Sequence, residues 1–181
     1  MRLLIASDIH GSSSAMARFN DKVGELKPDL VFFLGDILYH GPRNPLPDKY
    51  QPAEVAEMIA RLSVPTAAVR GNCDSEVDQY VLPVHLAESA WLLDGARRIL
   101  AIHGQQLEIN GGRMKAPEGA ALLSGHTHVP TAERRGTTHC WNPGSLSLPK
   151  ENFPPSFGFY EGGKFSVLTF DGRELMSDNL D

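Results

Sequence analysis

Five times along the chain a short apolar run ends in a side chain able to ligate a metal ion, next to a glycine. Leu3 to Ala6 leads into Asp8, His10 and Gly11, and Leu30 to Leu34 into Gly35 and Asp36. Thr66 to Val69 leads into Gly71 and Asn72, Ile99 to Ile102 into His103 and Gly104, and Leu122 to Ser124 into Gly125, His126 and His128. Together these are two carboxylates, one amide oxygen and four imidazoles, with no thiolate. Such a nitrogen and oxygen set suits Mn, Fe, Co, Ni or Zn; calcium takes oxygen alone, and structural zinc usually takes cysteine. Asp8 and His10, and likewise His126 and His128, are two apart. In extended backbone residues i and i+2 project to the same side, so each pair is expected to reach one site.

Seven ligands exceed the needs of one catalytic ion. With the Asp36 carboxylate as a bridge, two ions about 3.5–4 Å apart share them and leave positions open for water and substrate, which is the arrangement of a hydrolytic site. Two divalent ions set against two carboxylates and a bridging hydroxide leave a charge of about +1, so the pocket should attract anions. The bland alternative makes these residues ordinary strand-end polar groups capping loops. It would suffice for His103 taken alone, but the ordered recurrence favours the metal reading. Outside the set, Arg43 is a candidate clamp on a phosphate oxygen, although many loop arginines are simply solvated. His40 is a candidate proton donor to a leaving group. His85, His139 and Cys140 are expected to be structural or surface residues.

The elements that must position these groups follow from pattern. Leu3 to Ala6, Leu30 to Leu34 and Pro65 to Val69 predict buried strands. Between the first two, Ser12 to Ser14 offer a helix cap, Met16, Phe19, Val23 and Leu26 form one helical face, and Lys27-Pro28 ends it. After Pro52, Val55, Met58, Ile59 and Leu62 mark a second amphipathic helix. Strand, helix, strand, helix, strand implies parallel strands, and ligands at their carboxyl ends fit where α/β folds place sites. The second half predicts short strands at 90–93, 99–102, 121–124, 137–141, 157–160 and 164–170, with one weak helix near Leu107. About nine strands and few helices predict two packed sheets with helices outside. Asn142-Pro143-Gly144-Ser145 has the Pro and Gly of a type II turn.

Composition bounds the function. At about 150 residues per domain, 181 residues predict one domain, 1–181. A hydrophobic share of 41% with 22% charged residues is that of a globular protein, and no apolar run approaches the roughly 20 residues that span a bilayer. The short apolar start is soon followed by Asp8, unlike a signal peptide, so a cytoplasmic location with reduced Cys73 and Cys140 is expected. A net charge of −5 disfavours a nucleic-acid partner. A small anionic substrate is expected and a membrane partner is not; self-association stays open.

Asp8-Ile9-His10, Gly35-Asp36, Gly71-Asn72, His103-Gly104 and Gly125-His126-Thr127-His128, in that order, resemble the motifs of the calcineurin-like metallophosphoesterases. His40 to Asn44, Gly71 to Asp74 and Asn142 to Ser145 are similar to small bacterial phosphodiesterases of that group. The resemblance implies a four-layer αββα fold, with two mixed sheets face to face and helices outside. It implies one ion held by Asp8, His10, Asp36 and His128 and another by Asp36, Asn72, His103 and His126. Manganese is the first expectation, with zinc, iron, nickel and cobalt as alternatives. The implied reaction is hydrolysis of a phosphodiester by a hydroxide bridging the two ions, with Asp36, Asn72, His103 and Arg43 as catalytic residues. A phosphomonoesterase or a non-catalytic scaffold on the same fold are the alternatives. One departure stands out: many members follow the Asn with His, a candidate proton donor, where this chain has Cys73. A neutral thiol with a pKa of about 8.5 is a poor substitute for imidazolium.

Overall fold

In a computed structural model, which describes residues 1–109 and 116–180, the first stretch alternates strands and helices. It runs β1 (Arg2–Ala6), α1 (Ser13–Leu26), β2 (Leu30–Phe33), α2 (Pro52–Ala60) and β3 (Thr66–Val69). Then come α3 (Asp78–Val81), β4 (Leu86–Ala87), β5 (Ala90–Asp94), β6 (Arg97–Ala101), α4 (Gln105–Ile109) and β7 (Ala121–Leu123). The chain finishes with β8 (Thr131–Arg135), β9 (Thr138–Asn142), β10 (Ser156–Glu161), β11 (Lys164–Thr169) and β12 (Glu174–Asn179). The strands form a sheet ordered β12-β11-β10-β1-β2-β3-β4 and a second ordered β5-β6-β7-β9-β8. Both are mixed. β1, β2, β3 and β4 are parallel, as are β6, β7 and β9, while the flanking strands are antiparallel.

Strand alternation sorts the apolar residues into layers. Leu3 and Ile5 of β1 and Phe32 of β2 meet Ile99, Leu123 and Trp141 of the other sheet in one buried cluster. Leu4, Val31 and Phe33, which point the other way, meet Met16 and Phe19 of α1 and Val55 and Ile59 of α2. On the far face of the second sheet Leu122 and Ile102 pack with Leu107 of α4. The order of layers is therefore the expected one: α1 and α2, two sheets face to face, and α4.

Local chemistry ends α1 as the sequence predicts. Ser12 caps it by accepting from Ala15 N, and Lys27 closes it in left-handed backbone at φ 45. The outer layer on the second sheet is thinner than expected, since α4 spans only Gln105–Ile109 among the described residues. Strands β4, β8 and β12 and helix α3 add to the predicted set. Each lacks a clean period: α3 buries none of its four residues, and β8 and β12 lie at sheet edges. No helix of the described residues is long and apolar enough to cross a membrane.

Candidate metal centre

The loops leaving β1, β2, β3, β6 and β7 converge at one end of the sandwich. Backbone geometry there corrects the sequence argument. Asp8 (φ 55), His10 (φ 51), Asp36 (φ 53), His126 (φ 66) and His128 (φ 62) all occupy the left-handed region rather than extended backbone. Each such residue costs on the order of 1–3 kcal/mol unless its surroundings impose it. Asp8 and His10 still converge, but His126 and His128 diverge: the His128 ring lies 5.0 Å from that of His10, and the His126 ring 5.2 Å from that of His103.

Asp8 is fully buried, and its two oxygens differ. Oδ2 accepts from Ser7 Oγ at 2.6 Å and from His126 N at 3.0 Å, whereas Oδ1 is buried with no hydrogen-bond partner. It faces His128 Nε2 at 3.3 Å and His10 Nε2 at 3.7 Å. Both rings spend Nδ1 on carbonyls, His10 donating to Tyr39 O at 2.8 Å and His128 to Leu148 O at 2.5 Å. In a neutral ring the remaining Nε2 is an acceptor. Two Nε2 atoms 3.2 Å apart beside an orphaned carboxylate oxygen are therefore lone pairs aimed at one point. A cation satisfies all three, and carbonyl-anchored imidazoles are the usual orientation of metal-bound histidine.

The neighbouring half repeats the pattern. His103 donates from Nδ1 to Leu34 O at 2.5 Å, leaving Nε2 facing Asn72 Oδ1 at 3.2 Å and Asp36 Oδ1 at 3.4 Å. The Asn72 amide nitrogen is turned away to Cys73 Sγ at 3.3 Å. Asp36 joins the halves, with Oδ2 3.8 Å from His10 Nε2 while Oδ1 faces His103. Ligand atoms of Asp8, His10 and His128, and of Asp8, Asp36 and His103, lie within 4.8 Å of one another. A third such trio is His10, Asp36 and Cys73. The donor set thus fits divalent cations shared across Asp36.

Electrostatics follow from this crowding of carboxylates and imidazoles. Burial alone would raise the Asp8 and Asp36 carboxyls. The histidines outweigh it, His128 chiefly for Asp8 and His103 for Asp36, and hold both below the usual range. Burial pushes His10 down. His103 goes the other way: burial opposes its charge, yet the bond to Asp36 and the charges of Asp8 and Asp36 push it up to about 9. Burial and the nearby Asp36 raise the Cys73 thiol, so it stays neutral.

The centre opens into a cleft of about 950 Å³ lined by Asp36, Asn72, His126 and His128, with Arg43, the candidate clamp, on its wall. Lys150 also lines it, a second cation that no motif announced because it lies in the loop between β9 and β10. His40 is not among the lining residues; its ring stands edge-on between Tyr39 at 4.8 Å and Tyr50 at 5.1 Å. His139 is structural as expected, bonded through Nδ1 to Asp178 at 2.6 Å. The turn after β9 does more than reverse the chain. Gly144 has the positive φ of 80 that a type II turn needs, and Asn142 Nδ2 donates to Gly125 O at 2.8 Å. Ser145 Oγ donates to Asp8 O at 2.8 Å and accepts from Leu148 N at 2.9 Å. Gly125 must be glycine, since a Cβ there would overlap Ser7 Oγ.

Residues 1–162 match the family model of the calcineurin-like phosphoesterase superfamily domain. The chain is 38% identical to the phosphodiesterase YfcE of Escherichia coli K12 over 98% of its own length and 96% of the relative's. It is 27% identical to the probable metallophosphoesterase YsnB of Bacillus subtilis, over 97% and 95%. The solved structure of YfcE, described as a phosphoesterase from E. coli, superposes with a TM-score of 0.94 at 37% identity over all of both chains. A zinc-complexed Vps29 from Entamoeba histolytica has a TM-score of 0.65 at 20% identity over all of both chains, a likeness of fold alone.

Proposed function

The chain belongs to the calcineurin-like phosphoesterase superfamily, and from that membership we propose that it is a metal-dependent phosphodiesterase acting on small phosphodiesters at the cluster around Asp36. The name of the E. coli relative supports this substrate class. The observation that carries the reading is the Asp36 carboxylate, whose oxygens turn to opposite histidines, His10 and His103, in a cluster of inward lone pairs. Asp8, His10, Asp36 and His128 would hold one divalent cation, and Asp36, Asn72, His103 and His126 the other. Bound there, the cations supply positive charge for the non-bridging phosphoryl oxygens and acidify a water to serve as nucleophile. Manganese is the first ion to test, since the nitrogen and oxygen donors suit it, with zinc, iron, nickel and cobalt as alternatives.

The chain's own residues bind and orient the ester. Arg43 and Lys150 line the cleft that leads to the centre, and a guanidinium can grip a phosphate oxygen bidentately. Cys73 stands where a proton donor is sought, and its raised thiol pKa keeps it a weak acid. Esters whose leaving oxygen needs little protonation, such as aryl esters, are therefore favoured over alkyl esters. The two cysteines are free, which suits a cytoplasmic, reducing compartment. The net charge of −5 speaks for a small substrate rather than a nucleic acid.

A chromogenic aryl phosphodiester with added Mn²⁺ tests the proposal. Turnover is expected, abolished by chelation and lowered by about 10³-fold or more in Asp36→Ala, the scale of losing a principal electrostatic stabiliser. No turnover with any of the five metals would leave the reading of a non-catalytic scaffold on this fold. An alkyl diester cleaved as fast as the aryl diester would overturn the preference argued from Cys73, and a monoester cleaved faster than the diester would overturn the diester assignment.

A further inference from the structure

The two turns that carry Asp36 and Asn72 do not touch through their ligating groups alone. Between them lies the carboxylate of Asp74, only 3% exposed. Its Oδ2 accepts from Asp36 N and from Gly71 N, each at 2.8 Å, and its Oδ1 accepts from Ile37 N at 2.8 Å. The grip is reciprocal, because Cys73 N donates to Asp36 Oδ1 at 2.8 Å. We propose that Asp74 is a positioning residue, clipping the Asp36 turn to the Gly71-Asn72 turn in the register that lets both grip the cation shared with His103. This rests on the two-cation reading given above.

Three features make the clip necessary. Asp36 occupies left-handed backbone at φ 53, a conformation that persists only when its surroundings over-determine it. Its amide and that of Ile37 are consecutive donors pointing the same way, the kind of concavity that takes an anion. The turns also touch directly, since a Cβ on Gly71 would collide with the Asp36 side chain and backbone. A carboxylate alone among small side chains offers acceptors on both arms; an asparagine would turn an N–H against an N–H on one of them.

Apart from the shared Asp36, the other cation's ligands are anchored elsewhere. Asp8 is held by Ser7 and by the His126 amide, and its carbonyl by Ser145, while His10 and His128 are held by the Tyr39 and Leu148 carbonyls. None of these bonds involves Asp74. Losing the clip should therefore weaken the cation site of Asn72 and His103 more than the other, whose remaining three ligands stay anchored, whereas a merely structural role would not set the two sites apart.

Calorimetric titration of the full chain with Mn²⁺ separates the two. Wild type is expected to bind two ions. Asp74→Asn is expected to bind one ion about 10–100-fold more weakly, the usual effect of removing a group that orients a ligand, and the other, which shares only Asp36 with the clip, with a clearly smaller loss. Its diesterase kcat should recover as Mn²⁺ is raised. A variant that binds both ions as wild type does, losing only thermal stability, overturns the assignment. Wild type that binds fewer than two ions overturns the two-cation reading and this assignment with it. If the variant does not fold, hydrogen exchange on metal-free wild type decides: the Asp36, Ile37 and Gly71 amides should be protected together, and fast exchange at any of them overturns the clip.

Discussion

His103 shows how one side chain carries the electrostatics of the whole centre. Its Nδ1 is committed to the Leu34 carbonyl, so Nε2 either bears a proton bound to Asp36 or binds a cation. Burial opposes its charge, but the Asp36 bond and the two carboxylates push it up to about 9. Below that pH an incoming cation must displace a proton. Mn²⁺ affinity is thus expected to rise about tenfold per pH unit between pH 7 and 8, with about one proton released per ion pair bound. Titrations in buffers of different ionisation heat measure that release; an affinity flat over this range would contradict it. The sign for stability is the reverse. In the metal-free chain the charged ring stabilises the fold fully below its ordinary value of 6.5, and that contribution is lost as pH rises through about 9.

β12, paired with β11, is tied to the other sheet through the carboxylate of Asp178. It is an edge strand with no fully buried residue. Asp178 on it accepts from His139 Nδ1 at 2.6 Å and from Trp141 Nε1 at 2.8 Å, both on β9 of the other sheet. Burial would raise this carboxyl, but those two bonds outweigh it and hold it below 3.8. Asp178→Ala leaves the Trp141 N–H, on a side chain 1% exposed, without its acceptor and should cost about 2–3 kcal/mol at pH 7. Because the folded pKa is depressed, the stabilisation is present above pH 3.8 and fades as pH falls through the folded value. Denaturant unfolding at pH 7 and pH 3 should show the difference between variant and wild type narrowing in acid; a difference that widens would refute the pairing.

Across the whole molecule the centre works as a seam. Asp8, His10, Asp36 and Asn72 come from loops of the seven-stranded sheet, and His103, His126 and His128 from loops of the five-stranded one. Cations held among them would tie the sheets at one end, and binding to the folded state alone stabilises it by about 4 kcal/mol at a thousand times the dissociation constant. For a chain of this size that corresponds to roughly 10 °C in Tm. Thermal unfolding with excess Mn²⁺ and with excess chelator should differ by that scale. An unchanged Tm would mean that the two sets of ligands do not share an ion.

Residue types and their order after apolar runs already singled out the side chains that the fold gathers at one end of the sandwich. A site needing nitrogen and oxygen donors at several strand ends leaves a mark in the sequence that no single motif carries. The same holds for β1, α1, β2, α2 and β3, whose periods are set by burial on a definite face. What the sequence could not show lies in contacts between residues far apart along the chain. Spacing suggested that His126 and His128 act together, but left-handed backbone at both sends one ring to His103 and the other to His10. Ser145 behind Asp8, Lys150 in the cleft and Asp178 against Trp141 had no periodic or motif signal, because a side chain's partner across a sandwich is fixed by packing rather than by neighbours in sequence. Sequence chose the chemistry; the meeting of two sheets decided which lone pairs face each other.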